Sequence, residues 1–296
     1  MSEELILIAD SGSTKTDWAM LRATDGSRVA EAHTQGINPV HQSTDDISRI
    51  LHSELLEQWP LDQQPTAISF YGAGVTAAHA DTVRRLLQEA FPTAATVEAE
   101  SDLLGAARAL CGRQEGIAAI LGTGANSCLY DGTGIVANTP ALGYILGDEG
   151  SGAVLGRRFM NAIFKNPDFA DIRDAYLTEQ QLTMADVIRR VYREPMANRF
   201  LATTSLFIAR HTDNPLIATL VVDNFRDFFR HNVVPYGRPQ LPVHCVGSMA
   251  HHYRQQLEEA ARSEGFTLGR ILKSPLDGLV RYHSAGRQHG VDKQER

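Results

Sequence analysis

Cysteine is scarce. Only Cys111, Cys128 and Cys245 occur in 296 residues; they are widely spaced, odd in number and form no CxxC pair, so neither a disulfide framework nor a structural zinc is indicated. Long apolar runs are missing as well. The opening MSEELILIAD has no basic region, and its apolar stretch is far too short for a signal peptide or a membrane span. Positive charge is in deficit, with a formal net charge of -7, which argues against nucleic acid or an anionic membrane as partner. It does not argue against a nucleotide, whose phosphates need only a local patch. The eleven histidines show no metal spacing and HExxH is absent. What is left is a globular, cytoplasmic protein with no low-complexity linker, long enough for one large domain or two medium ones.

Against that background two stretches stand out. LILIADSGSTKTDWAML (5–21) is an apolar run, a turn of small and charged residues, and a second apolar run, which predicts a β-hairpin. GIAAILGTGANSCLYDG (116–132) repeats the outline: strand, Gly/Thr turn, strand, Asp-Gly. Between them the chain alternates. A helical period covers 44–58, AISFY (67–71) reads as a buried strand ending in GAG, 79–91 as an amphipathic helix, 96–102 as a strand running into an acid, and 103–112 as a small-residue helix. Residues 155–235 read as mostly helical, PVHCVGSMA (242–250) as a further strand ending in Gly-Ser, and 251–265 as a helix; the tail after Gly286 reads as loose. The expected fold class is α/β, an internally duplicated architecture with a cleft between the halves.

The turns offer a specific chemistry. Anions bind where several backbone N–H groups point outward and no side chain blocks approach. In DSGSTKT, Ser11, Gly12, Ser13 and Thr14 provide such a turn, Lys15 adds a positive charge, and Asp10 at the strand end is suited to a hydrated Mg²⁺. The same residue types also build plain β-turns, so the stretch taken alone fits either use. Gly122, Thr123 and Gly124 repeat the chemistry, and Gly247 with Ser248 forms a third glycine corner, fit for adenine and ribose or for a helix N-cap at Ser248. Neither a Walker A loop nor a GxGxxG fingerprint is present.

In order, DSGSTKTDWAML, SDLLGAA, ILGTGANS, GYILGDEGSG and CVGSMA resemble the N-acetylglucosamine kinase branch of the BadF-type ATPases, within the sugar kinase, actin and heat-shock-protein ATPase superfamily. The resemblance runs from about residue 5 to 286. It implies two duplicated actin-like (ribonuclease H-like) α/β domains with a nucleotide- and sugar-binding cleft between them, over 1–104, joined by a C-terminal helix over 275–286, and 105–274. It also implies ATP and Mg²⁺ as cofactors and an amino sugar as acceptor, with N-acetylglucosamine first and glucosamine or N-acetylmuramic acid next. It implies Asp102 as catalytic base, although Asp at that place also fits a helix N-cap. It further implies Asn38, Ala141, Leu142, Gly143 and Asp148 around the sugar, with Leu142 standing where a compared family member has Trp. A homodimer is the family habit. Two other readings stay open: a BadF-type ATPase energising a partner enzyme, against which the cysteine contexts weigh, and a sugar sensor that keeps the fold without turnover.

Overall fold

The structure is a computed structural model and describes residues 4–12, 14–59 and 64–291. Contacts divide the chain into two compact units, Met1–Gln114 with Gly132–Gly134 and Ser274–Arg296, and Glu115–Asp131 with Ile135–Lys273. The first boundary thus falls after Gln114 rather than after residue 104, because the helix over Asp102–Cys111 packs on the C-terminal helix and stays with the first unit.

In the first unit β1 (Leu5–Ser11), β2 (Lys15–Arg22) and β3 (Arg28–Gln35) form an antiparallel meander, and β4 (Ala67–Gly72) and β5 (Thr96–Ser101) add in parallel, in the order β3-β2-β1-β4-β5. Period-2 alternation along β1 directs Leu5, Leu7 and Ala9 into one core with Trp18 and Met20. That core is closed by Ile47 and Ile50 of α1 (Thr44–Ile50), Leu51 and Leu55 of a π-helical continuation (Leu51–Leu55) that runs on into α2 (Leu56–Gln58), and Val83 and Leu87 of α3 (Ala80–Ala90). Burying each large apolar side chain contributes about 1.5–3 kcal/mol. The opposite face of β1, carrying Ile6, Ile8 and Asp10, lies against α4 (Asp102–Cys111).

The second unit repeats the plan. Strands β6 (Gly116–Leu121), β7 (Ala125–Tyr130), β8 (Ile135–Thr139), β9 (Val243–Val246) and β10 (Leu268–Leu272) run β10-β9-β6-β7-β8, with β7 and β8 antiparallel and β9 and β10 parallel to their neighbours. Where the first unit crosses from β3 to β4 on one helical segment, the second crosses from β8 to β9 through α5 (Gly143–Leu146), α6 (Gly152–Lys165), α7 (Ala170–Gln180), α8 (Met184–Tyr192), α9 (Ala197–Arg210) and α10 (Pro215–Phe228). Helices α6 and α9 approach so closely at Gly156 that a Cβ there would overlap the Leu201 carbonyl. Helices α11 (Ser248–His252) and α12 (Arg254–Ser263) link β9 to β10.

Helix α13 (Leu276–Val291) returns to the first unit, where Gly278 lies against Ala109 of α4; it includes the start of the stretch expected to be loose. Arg84 and Arg85 make exposed ion pairs along α3, Arg158 pairs with Asp227, and Arg157 donates to the Ile145 carbonyl at 3.0 Å. Among the described residues no helix is long and apolar enough to cross a membrane.

Candidate active site

In the first unit the alternation that buries Ala9 leaves Asp10 on the face covered by α4, whose first residue is Asp102. Strand register adds a third acid, because Asp10 pairs with Asp17 across the hairpin. The Asp10 carboxyl is pushed up to about 7, first by burial and then by the negative charges of Asp17 and Asp102, with Lys15 opposing. Burial also raises Asp102, against the Leu103 N–H, which donates to its Oδ1 at 2.9 Å. The cap of α4 is not Asp102 but Ser101, whose Oγ accepts from the Leu104 N–H at 3.2 Å. The cap position falls one residue earlier than the sequence suggests, which releases Asp102 from capping.

The first turn is built by its neighbours. Ser11 does not face a phosphate: it is fully buried, and its hydroxyl meets Thr16 Oγ1 at 2.7 Å, donates to the Ile37 carbonyl and accepts from the Ile37 N–H. Ser11 therefore ties the strand end to the segment after β3. The Gly12 N–H closes the turn on the Lys15 carbonyl at 3.0 Å. A Cβ at Gly12 would meet only that carbonyl, at 3.8 Å, so the approach is open. Ser13 lies outside the described residues, and Thr14 is exposed. The Lys15 ammonium sits 2.7 Å from Asp17 Oδ2, while His33 Nδ1 meets the other oxygen at 2.7 Å. Asn38 is buried; its Oδ1 accepts from the Val40 N–H at 3.0 Å and presses on Gly74, where a Cβ would displace it. At φ +76° Gly74 also needs the glycine backbone.

In the second unit the Gly122 N–H donates to the Gly124 carbonyl at 3.0 Å. The carbonyls of Gly122 and Thr123 accept from Gly152 and Ala153 at the start of α6, at 2.8 and 3.1 Å. The turn is thereby pinned by its carbonyls, while the Thr123 and Gly124 N–H groups have no partner among the described residues. Nothing lies within 4 Å of a Cβ placed on Gly122.

Asp148 stands in the left-handed region at φ +52°, within a segment where Leu142, Gly143 and Gly150 are left-handed too. Its N–H donates to the Ala141 carbonyl at 2.9 Å, and its carboxylate accepts from the Ala125 and Gly143 N–H groups. Burial pushes it up to about 6, opposed by those donors. Beside it Leu142, Ile145 and Leu146 are exposed apolar side chains. Gly247 is itself the N-cap of α11, at φ +122°, so Ser248 is not the cap; a Cβ on Gly247 would overlap the Leu121 carbonyl. Met249, the residue after Ser248, is buried in the core of the second unit.

The donor set suits the groups the sequence implies. Among the described residues no three His, Cys, Asp or Glu side chains gather as a metal cage. Asp10, a buried acid pushed up by the neighbouring charges of Asp17 and Asp102, fits an ion such as Mg²⁺ that keeps water and phosphate in the rest of its shell. The open glycines and unused N–H groups fit phosphate oxygens. Sequence reasoning passed over Asp17, whose buried acid within a β-strand gives no motif, and Glu149, which meets His231 and Asn232 at 3.2 and 3.1 Å only because a π-helical turn (Phe229–Val233) continues α10.

No family model and no curated protein matches the chain. Solved structures do. A Porphyromonas gingivalis protein assigned as an N-acetylglucosamine kinase is 48% identical, with a TM-score of 0.90 over 95% of this chain and 99% of that one. A Chromobacterium violaceum protein with the same assignment is 21% identical, with a TM-score of 0.73 over 96% and 100%. The ethanolamine utilization protein EutJ of Carboxydothermus hydrogenoformans is 15% identical, with a TM-score of 0.58 over 96% and 91%. The last two share the fold. At 48% identity across nearly all of both sequences, this chain belongs to the N-acetylglucosamine kinase family of sugar kinases, which has the two-domain actin-like ATPase fold.

Proposed function

We propose that the protein phosphorylates an amino sugar, N-acetylglucosamine first, by direct transfer of the γ-phosphoryl group of ATP to a sugar hydroxyl. The observation that carries this reading is Asp102: a partly buried acid released from capping, with one oxygen held by the Leu103 N–H and its charge felt by Asp10. Asp102 takes the proton of the attacking hydroxyl as the oxygen–phosphorus bond forms and the bond to ADP breaks. Its raised proton affinity, set by burial, suits it to that transfer. The Thr14, Thr123 and Gly124 N–H groups receive phosphate oxygens, and the corner at Gly247, packed on the Leu121 carbonyl, takes the nucleoside. Magnesium held by Asp10 supplies charge neutralisation on the phosphates when bound. Asp148 accepts from sugar hydroxyls, with Asn38 and the 141–143 backbone as further contacts, and the exposed Leu142 offers an apolar side.

The alternative of an ATPase that energises a partner through a shared iron–sulfur cluster finds no support in the thiols. Cys111, Cys128 and Cys245 are all buried, and burial pushes the Cys245 thiol up to about 12. A coupled ADP-release assay tests the proposal, with Mg·ATP against N-acetylglucosamine, glucosamine, N-acetylmuramic acid and glucose. Sugar-dependent turnover that vanishes in Asp102→Asn is expected. Slow ADP release indifferent to every sugar overturns the kinase reading.

A further inference from the structure

A second polar cavity lies on the first unit, away from the acids just described. It has a volume of about 280 Å³ and opens over the starts of β1, β4 and β5, at Ile6, Ala67 and Thr96. Ile6 and Asp10 share one face of β1, and four residues of strand separate them by about 13 Å. The cavity therefore occupies the N-terminal end of the parallel strands, whereas the turns and acids of the candidate active site occupy the C-terminal end.

Its walls are cationic and aromatic. Arg108 of α4 and Arg113 just beyond that helix both line it, and both guanidiniums lie over the ring of Tyr282 from α13, at 5.3 and 4.9 Å from its centroid. Arg108 is held firmly: its Nη1 donates to the Tyr71 hydroxyl at 2.7 Å, and that hydroxyl meets His283 Nε2 at 2.9 Å. Yet Arg108 Nε is buried with no hydrogen-bond partner, an uncommon state for a guanidinium nitrogen. Arg113 makes no ion pair among the described residues. The one acid in the lining, Glu98, stands 3.8 Å from Arg108 Nη1 and is largely exposed, so its attraction is screened.

We propose that this cavity is a second site, separate from phosphoryl transfer, for a small phosphate-bearing anion gripped by the Arg108 and Arg113 guanidiniums. Phosphate is favoured because planar guanidinium forks match its oxygens. The two fixed positive charges outweigh Glu98 and the negative end of α4. Two sources share this chemistry: free inorganic phosphate and a sugar phosphate ester.

Titration calorimetry on the full chain tests the site, with inorganic phosphate in one arm and glucose 6-phosphate in the other. The expected dissociation constant for phosphate is on the order of 1 mM. Arg113→Gln, an exposed change that leaves folding intact, should weaken it about tenfold. Arg108→Lys should also weaken it by losing the fork, and Glu98→Gln should tighten it about threefold. ADP affinity should be the same in the wild type and in Arg113→Gln, which separates this site from the glycine turns. Tighter binding of the ester than of phosphate identifies an ester as the ligand; equal binding identifies free phosphate. Binding that is identical in the wild type, Arg113→Gln and Glu98→Gln, or no binding of either probe, overturns the proposal. Because the readout is binding, these outcomes do not depend on whether any sugar is phosphorylated.

Discussion

The two sheets share a strand order and a three-residue turn after their first strand, at 12–14 and 122–124, but the two turns are furnished differently. In the first unit the residue before the strand's last is Asp10, facing Asp17 across the hairpin; in the second it is Ile120, facing Asn126. The first turn sits among acids. The second sits at the start of α6, with its carbonyls fixed to helix N–H groups and no acid on the strand itself; its carboxylate, Asp148, comes from the segment before α6 and accepts from the Ala125 N–H. One backbone plan thus serves two purposes, with acids set into the strands of one copy and the turn of the other held by its carbonyls on a helix.

The strongest way to break that asymmetry is to neutralise the charged copy. Asp102→Asn should lower kcat about 10³-fold, the scale of a lost general base, with the melting temperature preserved or slightly raised because a buried acid is removed. A fall of less than tenfold would remove Asp102 from the chemistry. The rigid copy is tested by Gly247→Val, which combines a left-handed φ with overlap on the Leu121 carbonyl. Urea unfolding should show a loss of about 3 kcal/mol. Gly12→Ala in the open turn should stay within about 0.5 kcal/mol. Equal losses at the two sites would mean that the copies are alike in rigidity.

A third contrast uses pH. Asp148 sits at about 6 instead of the usual 3.8, so it is protonated below that value and ionised above it. Only the ionised form offers both oxygens as acceptors. The sugar KM should therefore be flat above about pH 7 and rise by up to tenfold as pH falls below 6. Asp148→Asn should show a raised KM without that dependence. The smallest effect belongs to Lys15, whose ammonium is exposed and already paired with Asp17. Lys15→Gln should raise the KM for ATP about threefold with kcat nearly unchanged.

Much of the duplicated plan was legible because central strands are apolar on both faces. β1 and β6 announce themselves as runs, and the turns after them as glycine breaks. The edges did not. Arg28–Gln35 mixes Arg, Glu and His with small residues, and Ile135–Thr139 and Leu268–Leu272 contain no fully buried residue, so none of the three carries an apolar run. In the candidate site, Asp102 and Asp148 were singled out through the family resemblance, because an acid that opens a helix or sits between glycines fits a cap or a turn equally well. Ser11 misled, since a serine in a glycine turn looks like a phosphate donor until its hydroxyl is found locked to Thr16 and Ile37. The cluster of Arg108, Arg113 and Tyr282 could not be read at all, because its members meet only when α13 folds back on α4.

The seating of Gly278 against Ala109 sets a timetable for the newborn chain. The first unit is interrupted in sequence: its sheet is complete by Ser101, but its last helix begins at Leu276. At ribosomal speeds of ~5–20 residues per second, roughly 10–30 s separate the synthesis of α4 from that of α13. Through that interval α4 waits with its α13-facing side uncovered while the inserted second unit is being made, and that unit is complete at Lys273, just before α13 begins. The half that begins the polypeptide is accordingly the half that finishes last, and the interval is when chaperones or proteases have most to act upon.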